Sequence, residues 1–202
     1  MLGSDPVSTL CLLSRKYADH VFVSSDSNSL VTFIVGKEGE TAKFTAHKEV
    51  VCHHSEVLNA AFKSTFVEGQ TQTYRLEDTS EAAFKLFIQW VYSQKIVLLQ
   101  LQDGHVEAEE AVKEDMALAE LWVLADRLCM PRFQNVALKA IFNISEKLNT
   151  VSTGPFRFIY ENTASDSLFR NFRSQTVLPR RLTDLERDPT TLLTRCLWIS
   201  EC

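Results

Sequence analysis

The sequence has few glycines and none of the glycine-rich patterns that bind nucleotide phosphates. Only six glycines occur among its 202 residues, and neither GxGxxG nor GxxxxGK[ST] is present. The patterns GxSxG, HExxH and CxxC are absent as well. Because the signatures of nucleotide-binding proteins, serine hydrolases and common zinc sites are missing, we predict a protein that is not an enzyme and needs no cofactor.

Long apolar segments and regularly spaced cysteines are missing too. The apolar segment MALAELWVLA at 116–125 falls short of the ~20 residues that a membrane span requires. The N-terminal MLGSDPVSTLCLLSRK lacks the apolar core of a signal peptide. The five cysteines are scattered and odd in number, which favours reduced thiols over a disulfide scaffold. These features predict a protein of the cytoplasm or nucleus that does not interact with membranes.

The charge of the chain is mild. A net charge of −5 argues against general binding to nucleic acids, and an apolar content of 45% is typical of a packed globular core. The most basic region contains Arg170, Arg173, Arg180 and Arg181. It could bind an acidic partner, but the acidic residues interleaved between 184 and 188 favour a solvated face instead.

The N-terminal third is predicted to form strands. His20–Ser24 is a candidate first strand, and Leu30–Val35 is a segment of β-branched and aromatic residues. The sequence GKEG at 36–39 supplies a turn with two glycines that tolerate positive φ. Thr41–Ala46 then returns as the partner strand, so that 30–46 is predicted to be a β-hairpin.

The segment after the hairpin is predicted to combine helices with one short strand. Lys48–His53 is long enough for one or two helical turns. Ser55 is a suitable N-cap for the next helix, because its hydroxyl can accept an unpaired backbone N–H, and Gly69 is predicted to break that helix. Thr73–Leu76 is a short strand, and Ser80 caps the helix that follows.

The second half is predicted to be helical after a loop. Residues 93–115 are acidic and contain turn formers, which indicates a solvated loop after a short strand at 96–98. A helix is predicted from Met116, and Pro131 begins the next one, since proline is tolerated in the first helical turn. The two form a helical hairpin. Two shorter helices are predicted beyond it, with Ser152 and Ser165 as their N-caps.

One group of histidines and a cysteine could suggest a metal site or a nucleophile. It consists of His47, Cys52, His53 and His54. His47 and His54 can share a helical face, but Cys52 projects elsewhere and no fourth ligand has suitable spacing. We therefore predict neither a metal site nor a cysteine–histidine pair. His47 is predicted to be structural, with its imidazole hydrogen-bonded to neighbouring backbone at the strand–helix junction.

The order of the elements and the residues at their joints resemble a BTB/POZ domain, specifically the short stand-alone BTB proteins of filamentous fungi. The matching segments are VTFIVG at 31–36, FTAHKEVVCHHS at 44–55, Phe66–Val67–Glu68, LED at 76–78, WVY at 90–92, LAELWVLADRLCMPRFQNVALKAI at 118–141 and VSTGPFRFIYENT at 151–163. The resemblance implies an α+β fold with a small mixed sheet of about three strands capped by helical hairpins. It divides the chain into an N-terminal arm with the first strand (1–27), the BTB/POZ domain (28–145), a helical extension (146–175) and a tail (176–202).

The resemblance also implies a function in protein–protein interaction. Such domains commonly homodimerise, and many are substrate adaptors for cullin-based ubiquitin ligases. Carried over to this sequence, the cullin-facing residues are Phe66, Glu68 and Tyr92, with His54 and Ser55 nearby. An alternative is a dimeric scaffold or transcription-linked protein that recruits a co-regulator. The sequence leaves open whether Phe66 is exposed or packs inward beneath its loop.

The family's charged pocket at the dimer side is incomplete here. Members often have an aspartate at the start of the first hairpin strand, which pairs with the basic residue after the histidine. Lys48 occupies the basic position, but Ser29 or Leu30 stands where the acid is expected. Asp19 or Asp26 could substitute for it if the preceding loop folds back.

Overall fold

The computed structural model describes residues 29–165, 167, 169 and 170, and the predicted strand His20–Ser24 lies outside them. The described part is an α+β fold with a three-stranded sheet. In chain order its elements are β1 (Leu30–Val35), β2 (Ala42–His47), α1 (Lys48–His54), α2 (Glu56–Lys63), α3 (Val67–Thr71), β3 (Thr73–Leu76), α4 (Glu81–Ser93), α5 (Ala108–Arg127), α6 (Pro131–Leu148) and α7 (Phe156–Asn162). None of these helices is both long and apolar enough to span a bilayer.

The predicted hairpin is confirmed and forms two thirds of the sheet. β1 is the central strand, antiparallel to β2 and parallel to β3. Gly36 and Gly39 close the hairpin with φ of 100° and 98°, and a Cβ on Gly36 would lie 2.5 Å from the Glu40 carbonyl oxygen. Glycine is therefore required at the first of these positions for both conformation and space.

The core is a continuous aromatic cluster that joins the sheet to the helices. Phe33 of β1 is fully buried, and its ring lies 5.9 Å from Phe62 and 5.0 Å from Phe84. Trp90 of α4 stacks on Phe133 of α6 with 4.4 Å between ring centroids. Such offset and tilted pairs add to the stabilisation that burial of their large apolar surfaces provides.

The capping predictions for α2 and α4 are confirmed. The Ser55 hydroxyl accepts the Leu58 N–H at 3.1 Å, and the Ser80 hydroxyl accepts the Ala83 N–H at 3.2 Å. The prediction for Gly69 is wrong, because α2 ends at Lys63 and Gly69 lies inside the short helix α3.

The loop predicted at 93–115 is shorter than expected. Helix α5 begins at Ala108 instead of Met116. The strand predicted at 96–98 is not formed, and a 3-10 turn follows it at Leu99–Leu101. The Glu114 carboxylate accepts the backbone N–H groups of Leu99 and Gln100 at 2.7 and 3.1 Å. The acidic residues thus belong to a solvated helix whose side chains hold the loop, a relationship that composition alone does not reveal. Pro131 begins α6 as predicted.

The region after α6 differs from the prediction in its caps. Helix α7 follows Pro155 without a side-chain cap, so Ser152 does not cap it. Ser165 is the predicted cap of the next helix, but the Arg170 backbone N–H donates to the Ser167 hydroxyl instead, at 3.3 Å.

Arg170 has a specific structural role that the prediction of a solvated basic face missed. Its guanidinium donates to the carbonyls of Tyr160 and Thr163 and lies 4.9 Å above the Tyr160 ring. It thereby satisfies carbonyl groups at the C-terminus of α7, where a cation is favourable. Arg173, Arg180 and Arg181 lie outside the described residues.

Candidate functional site

The histidine-rich helix α1 shows no arrangement suited to metal binding. Within the described residues, no group of three or more His, Cys, Asp or Glu side chains could hold a metal ion. The rings of His53 and His54 instead pack edge to face at 4.9 Å. Burial raises the pKa of the Cys52 thiol, and Lys48 and Lys63 only partly counter this effect. Cys52 is therefore poorly suited to act as a thiolate nucleophile or ligand.

His47 and Tyr92 connect the end of β2 to the end of α4. The Tyr92 hydroxyl accepts the His47 backbone N–H at 2.9 Å and lies 2.8 Å from His47 Nδ1. With a neutral His47 protonated on Nε2, the hydroxyl donates to Nδ1 while it accepts from the backbone. The ring of His47 thus bonds to a side chain instead of the backbone expected from the sequence. The arrangement fixes the Tyr92 ring, which is 48% exposed.

His54, at the end of α1, contacts the last turn of α4. Its ring is 5.1 Å from the Trp90 ring, and its Nε2 is 3.2 Å from Gln94 Nε2. Burial, and to a lesser extent the neighbouring His53, lowers the pKa of His54 to about 4. His54 is consequently neutral at physiological pH and adds no charge to this surface.

Ser55 does not belong to the exposed surface, contrary to its predicted place in an interface. Its side chain is buried, with 1% exposure. The hydroxyl donates to the Leu128 carbonyl at 2.8 Å and accepts the Leu58 N–H. Both of its hydrogen-bonding functions are used within the protein, so Ser55 ties the start of α2 to the end of α5 and offers nothing to a partner.

Phe66 points outward from the start of α3. It is 74% exposed and its neighbour Val67 is 68% exposed, which excludes inward packing of Phe66. Glu68 follows in the first turn of α3 and is half-buried. Burial, and to a lesser extent the nearby negative charge of Glu68, raises the pKa of the Tyr74 hydroxyl. Val67 is an exposed apolar residue that the sequence reasoning did not single out.

Gly69 allows the backbone of the Phe66 loop to pass close to Ser64, and it is not the helix breaker that the sequence predicted. A Cβ on Gly69 would lie 1.8 Å from the Ser64 carbonyl oxygen and 2.8 Å from the Ser64 carbonyl carbon. The turn is closed by the Phe66 N–H, which donates to Ser64 Oγ at 3.2 Å, and by Gln70 Nε2, which donates to the Thr65 carbonyl at 2.7 Å. The glycine next to Phe-x-Glu was a signal for close backbone approach.

Lys48 extends from the start of α1 toward the end of α2. Its ammonium donates to the Phe62 carbonyl at 3.1 Å, and its backbone N–H donates to the Ser29 carbonyl at 2.9 Å. Lys48 has no ion pair within the part of the chain that the structure describes. The two candidate acids, Asp19 and Asp26, lie outside that part.

Individual proteins of known sequence are similar to this chain over about a third of its length. BTB/POZ domain-containing proteins 6-B and 6-A of zebrafish (Danio rerio) are 35% and 37% identical to the chain over 68 residues, or 34% of this chain. That region spans only 14% and 12% of their own lengths. Among solved structures, the BTB domain of zebrafish PATZ1 is similar, with a TM-score of 0.36 and 22% identity over 55% of this chain and 75% of that domain.

The family itself is established by the extent of the match along the chain. The BTB/POZ domain family model matches residues 19–143, which is more than half of the sequence and includes the sheet, helices α1 to α5 and most of α6. The fold expected from the resemblance, a small mixed sheet with helical hairpins, is the one observed. The chain belongs to the BTB/POZ domain family, whose fold is a protein–protein interaction module.

Proposed function

We propose that this protein is a homodimeric adaptor that binds a cullin scaffold through the Phe66 loop. The observation that carries the proposal is the exposure of two adjacent apolar side chains, Phe66 and Val67, on a turn that Gly69 and hydrogen bonds hold rigid. A preorganised apolar anchor loses little conformational entropy on binding and gains area burial. Glu68, which follows it, can fix the register of a partner helix.

The junction of α1 and α4 supplies the second part of the proposed cullin-facing surface. Tyr92 offers a half-exposed ring whose orientation is fixed by His47. His54 contributes a neutral imidazole, so a partner does not have to bury an unpaired charge there. This assignment retains His54, Phe66, Glu68 and Tyr92 and omits Ser55, whose side chain is buried.

The dimer is proposed to use Lys48 together with the N-terminal arm. The Lys48 ammonium is partly buried and donates to the Phe62 carbonyl. A carboxylate nearby would stabilise this ammonium further. We infer that Asp26 or Asp19, from the same or the second subunit, supplies that carboxylate. We also propose that the protein is one of the short stand-alone fungal BTB proteins, which the resemblance of residues 151–163 supports, and that it acts in the cytoplasm or nucleus.

The adaptor function is tested by pull-down with the N-terminal domain of a cullin. The double variant Phe66→Ala/Glu68→Ala is expected to weaken binding at least about tenfold, the loss typical of truncating an interface anchor. Val112→Ala is the matched control, because Val112 is another exposed apolar residue, on α5. Both variants should unfold like the parent protein, since surface substitutions change stability by about 0.5 kcal/mol or less.

Two results would remove the adaptor function. One is unchanged binding by the double variant, and the other is no binding by the parent protein. Affinity purification followed by mass spectrometry then distinguishes the alternative. Recovery of a transcriptional co-regulator without a cullin would replace the adaptor with a dimeric scaffold. For the dimer, light scattering that shows a monomer at tens of micromolar would contradict the proposal.

A further inference from the structure

A cleft with about 230 Å³ of free space lies between the first half of α5 and the end of α6. Ala111, Ile141 and Ile144 give it apolar walls, and Asp115 places a carboxylate in it. Asp115 Oδ1 accepts one hydrogen bond, at 3.1 Å, from the buried side chain of Gln100. Because a carboxylate can accept several hydrogen bonds, the cleft combines an apolar surface with an anchoring point for a cation.

Residues 103–115, on one side of the cleft, form a strongly acidic segment. The acidic residues of 103–115 are Asp103, Glu107, Glu109, Glu110, Glu114 and Asp115, against a single lysine, Lys113. That lysine is already paired with Glu109 at 2.6 Å. The negative electrostatic potential at the cleft therefore favours a positively charged occupant.

The chain leaves the described structure close to this cleft. Phe169 is fully buried, and its ring lies 5.0 Å from the Trp122 ring. Trp122 and Asp115 are seven residues apart on α5, which puts them on one helical face about 10 Å from each other along the axis. Phe169, one residue before the last described residue, thus packs on the face of α5 that carries Asp115. Residues 150–152, which lead toward α7, line the cleft as well.

The next segment of the sequence has the complementary chemistry. Residues 171–183, NFRSQTVLPRRLT, contain three arginines and no acidic residue. Arg180 follows Arg170 by ten residues, a length that spans up to about 33 Å when extended. Leucines flank the Arg180–Arg181 pair at 178 and 182, so this short segment carries both apolar and cationic groups.

We propose that Leu178–Leu182 of the same chain docks in the cleft between α5 and α6. An arginine of this segment pairs with Asp115, and its aliphatic stem and the flanking leucines cover Ile141 and Ile144. Arginine suits this position because its planar guanidinium matches a carboxylate while its stem packs on apolar surface.

Hydrogen–deuterium exchange on the full chain tests the docking. Arg180→Gln/Arg181→Gln is expected to increase exchange of the amides in 111–118 and 141–152 by roughly two- to fivefold, the change expected from losing a partly exposed ion pair. The matched control Arg187→Gln/Arg195→Gln removes the same charge from the same region of the sequence and should leave exchange unchanged. Raising the salt concentration should reproduce the effect in the parent protein.

A second variant keeps the test decisive. Asp115→Asn preserves an acceptor for Gln100, removes the charge and should increase exchange in the same amides. Its combination with the double arginine variant should add nothing further, because both remove one interaction. Exchange that is unchanged in the double arginine variant overturns the proposal. Exchange of the amides in 111–118 and 141–152 that still depends on protein concentration once the protein is fully dimeric also overturns it, since another copy would then supply the arginines.

Discussion

The Tyr92 hydroxyl binds His47 twice, through the backbone N–H at 2.9 Å and through ring Nδ1 at 2.8 Å. The two residues are 45 positions apart in the sequence. Their contact holds the last turn of α4 against the end of β2, directly before α1. Because this joint orients a half-exposed aromatic ring, it links the stability of the fold to the shape of the proposed cullin-facing surface.

Tyr92→Phe is expected to lower the free energy of unfolding by about 0.5–1.5 kcal/mol, the net contribution of a hydrogen bond at a partly exposed site. Urea unfolding measures the change. Tyr160→Phe is the control, because Tyr160 is similarly exposed and its hydroxyl makes no hydrogen bond within the described residues. A double-mutant cycle with His47→Ala should show coupling between the two residues. Additive effects would contradict the contact between the hydroxyl and the imidazole ring, since His47→Ala keeps the backbone N–H that also donates to Tyr92.

Ser55→Ala is expected to destabilise the protein by about 1–3 kcal/mol, because it removes an N-cap and leaves the buried Leu128 carbonyl without a donor. Thermal or urea unfolding measures this loss. Ser93→Ala serves as a comparison, since the Ser93 hydroxyl binds carbonyls at an exposed position and should cost less. If Ser55→Ala weakened cullin binding at full stability, the assignment of Ser55 to the framework would be wrong.

Gly69→Ala is expected to destabilise the protein by about 1–3 kcal/mol, as overpacking of a close contact does, because its Cβ would meet the Ser64 carbonyl at 1.8 Å. If the loop moves instead, Phe66 changes position and any partner bound through it is lost. Urea unfolding and pull-down together detect both outcomes. Gly154→Ala is the matched control, as its Cβ would meet nothing within 4 Å. Full stability together with full binding in Gly69→Ala would refute the close contact.

Acidification should destabilise the protein through His54. The pKa of His54 is about 4 in the folded protein against 6.5 without the fold, so the unfolded chain binds a proton first as the pH falls. Neutral His54 therefore contributes its full stabilisation above about pH 6.5, and this stabilisation declines as the pH falls toward 4. Urea midpoints at pH 7 and pH 4.5 measure the decline.

The variant His54→Gln should show a smaller decline across this window, because glutamine does not titrate. His105→Gln is the control, as His105 lies on the surface with its side chain 84% exposed. An equal decline in His54→Gln and in the parent protein would show that other groups cause the pH dependence.

The amino-acid sequence by itself determined the local structure and the family. The hairpin at 30–46, the caps at Ser55 and Ser80 and the helix start at Pro131 each depend on residues close together in the chain. Turn glycines, capping hydroxyls and alternating apolar residues act over a few positions, so their pattern can be recognised without knowledge of the fold. The BTB/POZ motifs occur in order at these joints.

Tertiary structure decided which residues of the candidate site are exposed and where α5 begins. Ser55 is buried because Leu128, 73 positions away, brings its carbonyl to the hydroxyl. The acidic start of α5 is a helix whose Glu114 holds the loop at Leu99, although composition indicated only solvent exposure. Phe66 is exposed because Gly69 lets the backbone approach Ser64. Burial and hydrogen-bond partners depend on residues distant in sequence, and the three-dimensional packing alone brings these together.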